Sequence, residues 1–397
     1  MSQTFAGVKN HSPRGMLVLL ATAELLGMSL WLAAGAVAPQ LATQWTLSSS
    51  QAAWLTTSVQ LGFVAGTAIA ALLNLADVVP SRVYFALAAV AGSAANAALL
   101  LAPNYGWALA VRFLTGMCLA GVYPPAMKMI ATWFERGRGM AIGTIVGALT
   151  VGKATPYLVH AIPGAGVTPV ILSASIAAII AAALVFAGYR DGPFPFARRP
   201  FSWSLVGAVL RERDYCRVLG GYAGHMLELY AYWVWIPVFL AASAEAMGPH
   251  RISPSVVSLL AFVVIAVGAV GCIYGGVIAD RIGYARLTVI AMAVSGSCAL
   301  LTPLVFGRSL ALLVPLVLLW GITVVADSAQ FSTLITKVSA PHTVGTALTL
   351  QTSIGFLLTT ISIQLVPPVV GLVGWKYAFP MLALGPLLGI AAMRRLL

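Results

Sequence analysis

The 397 residues predict an all-α integral membrane fold: twelve transmembrane helices in two bundles of six, with both termini in the cytoplasm. An apolar excess, a recurring span length and a displaced self-similarity carry that prediction. Apolar letters make up 60% of the chain and charged ones 8%, too little polar side chain to cover a soluble globule of this size. A hydrocarbon core of about 30 Å needs roughly 20 apolar residues at 1.5 Å per helical residue. Such runs fall at about 16–36, 50–72, 82–101, 107–131, 139–160, 168–189, 216–240, 254–278, 284–306, 309–335, 342–366 and 375–393. Strands of a transmembrane barrel need only about ten residues of alternating character. The composition also excludes a soluble enzyme and a nucleic-acid-binding domain.

The first run follows Lys9 and Arg14 and ends on Ala36-Val37-Ala38, the outline of a secretory signal. Pro39 directly after that site obstructs cleavage, and the run is longer than a signal requires, so it reads as a retained span 1. Spans 2 to 6 follow, with breaks near Arg82, Arg136 and Arg138 on one side of the membrane. One long connection comes next, carrying Arg190, Arg198, Arg199, Arg211 and Arg213 among Pro193, Pro195 and Pro200. It separates a first bundle, 1–189, from a second, 216–397, with 190–215 as a cytoplasmic linker. Spans 7 to 12 repeat the arrangement, with breaks near Arg281, Arg286 and Lys337, and the chain ends on Arg394 and Arg395.

Alternating the breaks between the two sides gives one side 17 of the 22 Lys and Arg, which orients it to the cytoplasm. The net charge of +12 then reflects topology and anionic lipid head groups, with no nucleic-acid partner. The expected location is the cytoplasmic (inner) membrane. Cys118, Cys272 and Cys298 lie within spans and Cys216 at an edge, without CxxC spacing. No disulfide, zinc or other cofactor is expected.

The second half repeats the first at a near-constant offset. Glu24 precedes Glu228 by 204 residues, Asp77 precedes Asp280 by 203, Arg82 precedes Arg286 by 204, and Gly139 precedes Gly345 by 206. Parallel repeats of six spans describe one transporter architecture in particular. Gly276-x-x-Ala279-Asp280-Arg281-x-Gly283 resembles the signature of the major facilitator superfamily between the second and third spans of each half. The first-half copy keeps Leu75, Ala76, Asp77 and Arg82, but has Leu73 and Pro80 where the family has glycine and Val78 in place of arginine. Arg112-Phe-Leu-Thr-Gly116 and Gly121-Val-Tyr-Pro-Pro125 are similar to its fourth-span pattern. The resemblance implies that spans 1, 4, 7 and 10 line a central path and 2, 5, 8 and 11 flank it.

An ionised side chain near the bilayer centre costs about 2.5–3.5 kcal/mol or more, so those retained there face a cavity or a partner. The embedded set is Glu24, Arg112, Lys153, His225, Glu228 and Asp327, all on spans that the resemblance places at or beside the path. Glu24 and Glu228 read as a pseudo-symmetric pair of proton-coupling carboxylates facing each other between the halves, with His225 as a relay one helical turn from Glu228. The structural alternative is a carbonyl bond for His225 and a packing ion pair for Glu228. Arg112 resembles the family's fourth-span arginine, associated with proton coupling or structural pairing. Lys153, with Tyr157 on its face, is suited to an anionic solute. Tyr232, Trp235, Trp320 and Asp327 complete the candidate substrate contacts, and Tyr222, Tyr230 and Trp233 a candidate aromatic wall. Asp77, Arg82, Asp280, Arg281 and Arg286 are expected to set conformational populations. Gly139, Gly143, Gly147 and Gly152 of span 5 have the small-residue spacing of close helix packing.

The reading is a secondary active transporter of a small organic anion or zwitterion, coupled to protons by alternating access, as symport or antiport. It is expected to act as a monomer in contact with membrane lipids. A proton-driven exporter of cationic drugs or metal chelates is the alternative, and a transporter-like receptor or assembly factor is an alternative of another class. No catalytic constellation supports an enzyme. No arginine occurs in spans 2 or 8, where the family's nitrate carriers place theirs, which argues against nitrate.

Overall fold

A computed structural model describes residues 12–135, 137–194, 201–248 and 252–397, apart from the side chains of residues 76 and 77. Lys9, Arg136, Arg198, Arg199 and Arg251, counted above for orientation, lie outside the described residues, as does the side chain of Asp77. Ten helical segments among the described residues are long and apolar enough to cross a membrane.

Predicted spans 11 and 12 fall in one such segment, Val344–Leu396, and predicted span 1 is not among the ten, a reading that the structure corrects. Span 1 is divided into α1 (Pro13–Met28), α2 (Ala33–Ala36) and α3 (Ala38–Trp45). The Ser29 hydroxyl turns back onto the Leu26 carbonyl at 2.6 Å where the helix opens. Next come α4 (Ser49–Leu72), α5 (Leu75–Val78), α6 (Ser81–Ala97), α7 (Tyr105–Leu119), α8 (Tyr123–Ala131), α9 (Arg138–His160) and α10 (Val167–Gly188). Ser48 and Gln51 form a capping box at α4, and Asn104 caps α7, so helix ends that start at an aqueous face satisfy their first amides. Span 4 is split between α7 and α8, where Pro124 and Pro125 can begin a helix but not continue one.

The connection holds α11 (Trp203–Arg211), and span 7 starts earlier than expected, as α12 (Arg213–Ala246). Span 8 is α13 (Pro254–Ala266) with α14 (Gly268–Ile282), span 9 is α15 (Tyr284–Val305), and span 10 is α16 (Leu310–Ala326) with α17 (Ser328–Val338), broken at Asp327. The remainder is α18 (Val344–Ala378) and α19 (Leu384–Met393), with a left-handed break at Gly374 inside α18. Spans 1, 4, 8 and 10 are thus discontinuous, which a membrane tolerates only where neighbours satisfy the freed backbone groups.

Helices of each half pack mainly among themselves, and the halves meet where α9 lies on α13 and α14 and where α4 lies on α18. Gly143 and Gly147 of the span 5 stripe lie in the first seam. A Cβ at Gly143 would press on the Cys272 carbonyl oxygen at 2.7 Å, and one at Gly147 on Ala269 at 3.3 Å. The second seam is polar at one end, where Ser50 and Thr57 bond to Gln364, and aromatic in its middle, where Phe63 meets Phe356.

Candidate functional site

Lys153 is buried in the seam between the halves, 1% exposed. Its ammonium lies 3.9 Å from the Trp31 ring centre and 4.7 Å from those of Tyr230 and Trp233. It donates a 2.6 Å hydrogen bond to the Tyr230 hydroxyl. Trp31 comes from the break after α1 and the other two rings from α12, so both halves hold the same cation. Phe63 and Phe356 complete the ring wall, 5.1 and 5.7 Å from Trp31. Cation–π contacts contribute from about 0.5 to about 2 kcal/mol as water is excluded.

Gly152 sets the neighbouring geometry. A Cβ there would collide with the Leu25 carbonyl oxygen, so α1 and α9 meet backbone to backbone. That approach brings Glu24 within coulombic reach of Lys153. Glu24 is fully buried, and among the described residues neither of its carboxylate oxygens accepts a hydrogen bond. The indole N–H groups of Trp31 and Trp233 also have no acceptor among the described residues. An unsatisfied carboxylate, a cation with only a neutral partner and two free donors therefore occupy one enclosed region.

Glu228 is engaged within the second half. Its Oε2 accepts from the Ser295 hydroxyl at 2.8 Å and its Oε1 from the Trp320 indole at 2.8 Å, both within the second half. Tyr232 lies tilted against Trp320 at 4.7 Å and donates to the Val317 carbonyl, so these two rings belong to the same internal network. His225 pairs with Asp327: Nδ1 lies 2.9 Å from Oδ1, and Nε2 lies 3.0 Å from the Ser328 hydroxyl. The break between α16 and α17 delivers Asp327 to that contact.

Arg112 makes no contact with a carboxylate among the described residues. It donates to the Asn96 side-chain oxygen at 2.7 Å and to the carbonyls of Trp31 at 2.7 Å, Leu30 at 3.1 Å and Leu55 at 3.3 Å. Asn96 and Trp31 went unmarked in the sequence: an amide in span 3 carries no charge signal, and a tryptophan in an apolar run reads as packing. Tyr157 and Trp235 line a separate cavity of about 510 Å³ between the halves, with Gln40, His160, Glu245 and Ser258. His160 bridges its rim, 2.6 Å from the Gln40 amide and 2.8 Å from the Ser258 hydroxyl. At the opposite end, Arg82, Asp280, Arg281 and Arg286 are exposed, and Asp280 accepts a 2.6 Å bond from the Tyr284 hydroxyl. Gly283, in a left-handed conformation, ends α14 directly before that tyrosine.

The model of the Major Facilitator Superfamily matches residues 19–363, nearly the whole of this arrangement. The chain belongs to the Major Facilitator Superfamily. Among solved structures, this superfamily member is similar to a bacterial homologue of the human lysosomal transporter Spinster, in an inward-facing and occupied conformation. The TM-score is 0.69 at 15% identity, covering 95% of this chain and 94% of that one, a likeness of fold. Among curated proteins it is similar to the niacin transporter NiaP of Acinetobacter baylyi, 34% identical over 103 residues. That segment is 25% of this chain and 23% of the niacin transporter, so the chain matches less than a quarter of that relative. Membership makes the protein a multi-pass membrane transporter by family.

Proposed function

We propose that the protein is a secondary active transporter of a small planar organic anion, with Lys153 as the charge contact and Glu24 as the proton-coupling carboxylate. Twelve crossings with both termini cytoplasmic and alternating access of two bundles complete the reading. Its principal support is Lys153: a buried cation held by both halves, hydrogen-bonded among the described residues only to a neutral hydroxyl, and walled by aromatic rings. A single cation suits a monoanion, and ring walls suit a flat apolar body. The partial similarity to a niacin transporter is consistent with a solute of that size and chemistry. Glu24, unbonded beside Lys153, is suited to take a proton from one side and release it on the other. The 510 Å³ cavity that reaches Tyr157, one helical turn from Lys153, serves as the external approach.

Uptake of radiolabelled nicotinate by proteoliposomes, with and without an imposed proton gradient, tests this. The expected result is gradient-stimulated uptake that Lys153→Ala abolishes and Glu24→Gln uncouples. The buried carboxylate of Glu24, with no hydrogen bond from a described residue, favours one competing reading, export of a cation past the same rings. Cation extrusion that needs Glu24 and survives Lys153→Ala would replace the anion reading with that one.

A further inference from the structure

Arg112 has every feature of a coupling residue except a partner to couple with. It is fully buried, and its bonds go to three backbone carbonyls and one amide oxygen. Two of those carbonyls, Leu30 and Trp31, lie in the break after α1. In a continuous helix they would accept from amides four residues on, so a break needs another donor for them. The guanidinium supplies several donors in a rigid fork, which an ammonium cannot reproduce.

The clamp is anchored from behind. Asn96 accepts from Arg112 through its oxygen and donates through its nitrogen to the Ile171 carbonyl at 3.1 Å and the Ser175 hydroxyl at 3.0 Å. Ser29, at the start of the break, reaches the Ala174 carbonyl at 3.2 Å. The break is therefore tied to α6, α7 and α10, and the residue it presents to the seam is Trp31, over the Lys153 ammonium.

We propose that Arg112 is a positioning residue for solute recognition: by clamping the opened backbone of span 1 it fixes Trp31 against Lys153, and it carries no proton. The link to recognition rests on the reading of Lys153 as the anion contact. The clamp itself does not.

Two measurements on full-length protein in proteoliposomes test it. Hydrogen exchange over residues 29–36 is expected to speed up about tenfold or more in Arg112→Lys, and in the same direction but less in Asn96→Ala, with distant spans unchanged. Nicotinate uptake by Arg112→Lys is expected to show a half-saturating concentration raised about tenfold, with its pH midpoint retained. Combining Arg112→Lys with Trp31→Phe should cost no more than the worse single change, because both act through one ring. Unchanged exchange at 29–36, or a shifted pH midpoint with unaltered half-saturation, overturns the proposal. Should Arg112→Lys not fold, Asn96→Ala gives the same two readouts. If Lys153→Ala still takes up nicotinate normally, the solute reading fails, and the exchange measurement alone decides the clamp.

Discussion

Glu24 and Glu228 hold the same place in the two repeats and have opposite surroundings. Glu24 is buried beside a lysine with no hydrogen bond from a described residue, whereas both oxygens of Glu228 are occupied, by Ser295 and Trp320. A duplicated half preserves where a residue sits along a span. It does not preserve which neighbours face it. A carboxylate with two donors and no cation is a structural tie, while one with a cation nearby and free lone pairs is available for chemistry.

The strongest way to break this comparison is at the cation. Lys153→Ala is expected to reduce nicotinate uptake by about 100-fold or more in proteoliposomes, since it removes the only charge contact of the proposed site. Persisting uptake would move the site elsewhere. Next in size, Glu24→Gln should abolish gradient-driven accumulation and keep solute counterflow, while Glu228→Gln should accumulate solute within about threefold of the parent protein. The reverse result would assign coupling to the second half, and unchanged accumulation in both would remove coupling from the two glutamates.

A smaller effect concerns stability. Glu228→Ala strands the Trp320 indole N–H at a cost of about 1–3 kcal/mol, while the Ser295 hydroxyl keeps the Met292 carbonyl; the loss is read as a lower unfolding temperature of the purified protein. Glu24→Ala strands no such donors and should leave that temperature unchanged or higher. Least of all, Ser295→Ala removes one of two donors to Glu228, and is expected to cost about 1 kcal/mol with transport retained. A larger loss for Glu24→Ala than for Glu228→Ala would invert the comparison.

Much of the fold was legible because lipid imposes a length and a polarity on every crossing. Spans 2, 5, 6 and 9 begin and end within a residue or two of the expected positions. The glycine stripe of span 5 was legible as packing, although the sequence did not say that Gly143 and Gly147 meet α14 of the other half while Gly152 meets α1 of its own. Span 1 was misread as one continuous helix because no proline or glycine marks positions 29–32. Its break is maintained by a guanidinium from span 4, some 80 residues away. The pairing of His225 with Asp327 was hidden for a similar reason: both residues stood out singly, but their contact depends on a helix break in another span.

The sequence alone determined that this is an apolar helical membrane chain with six embedded ionisable residues, because burial in lipid selects composition and spacing directly. Only the tertiary structure decided which of the six are already spoken for. Arg112 is bonded to backbone and Asn96, Glu228 to two donors, Lys153 to the Tyr230 hydroxyl and His225 to Ser328 with Asp327 2.9 Å away, whereas neither oxygen of Glu24 accepts a hydrogen bond from a described residue. Charge is a property of a residue, but availability is a property of what surrounds it, and the surroundings come from helices far apart in the chain.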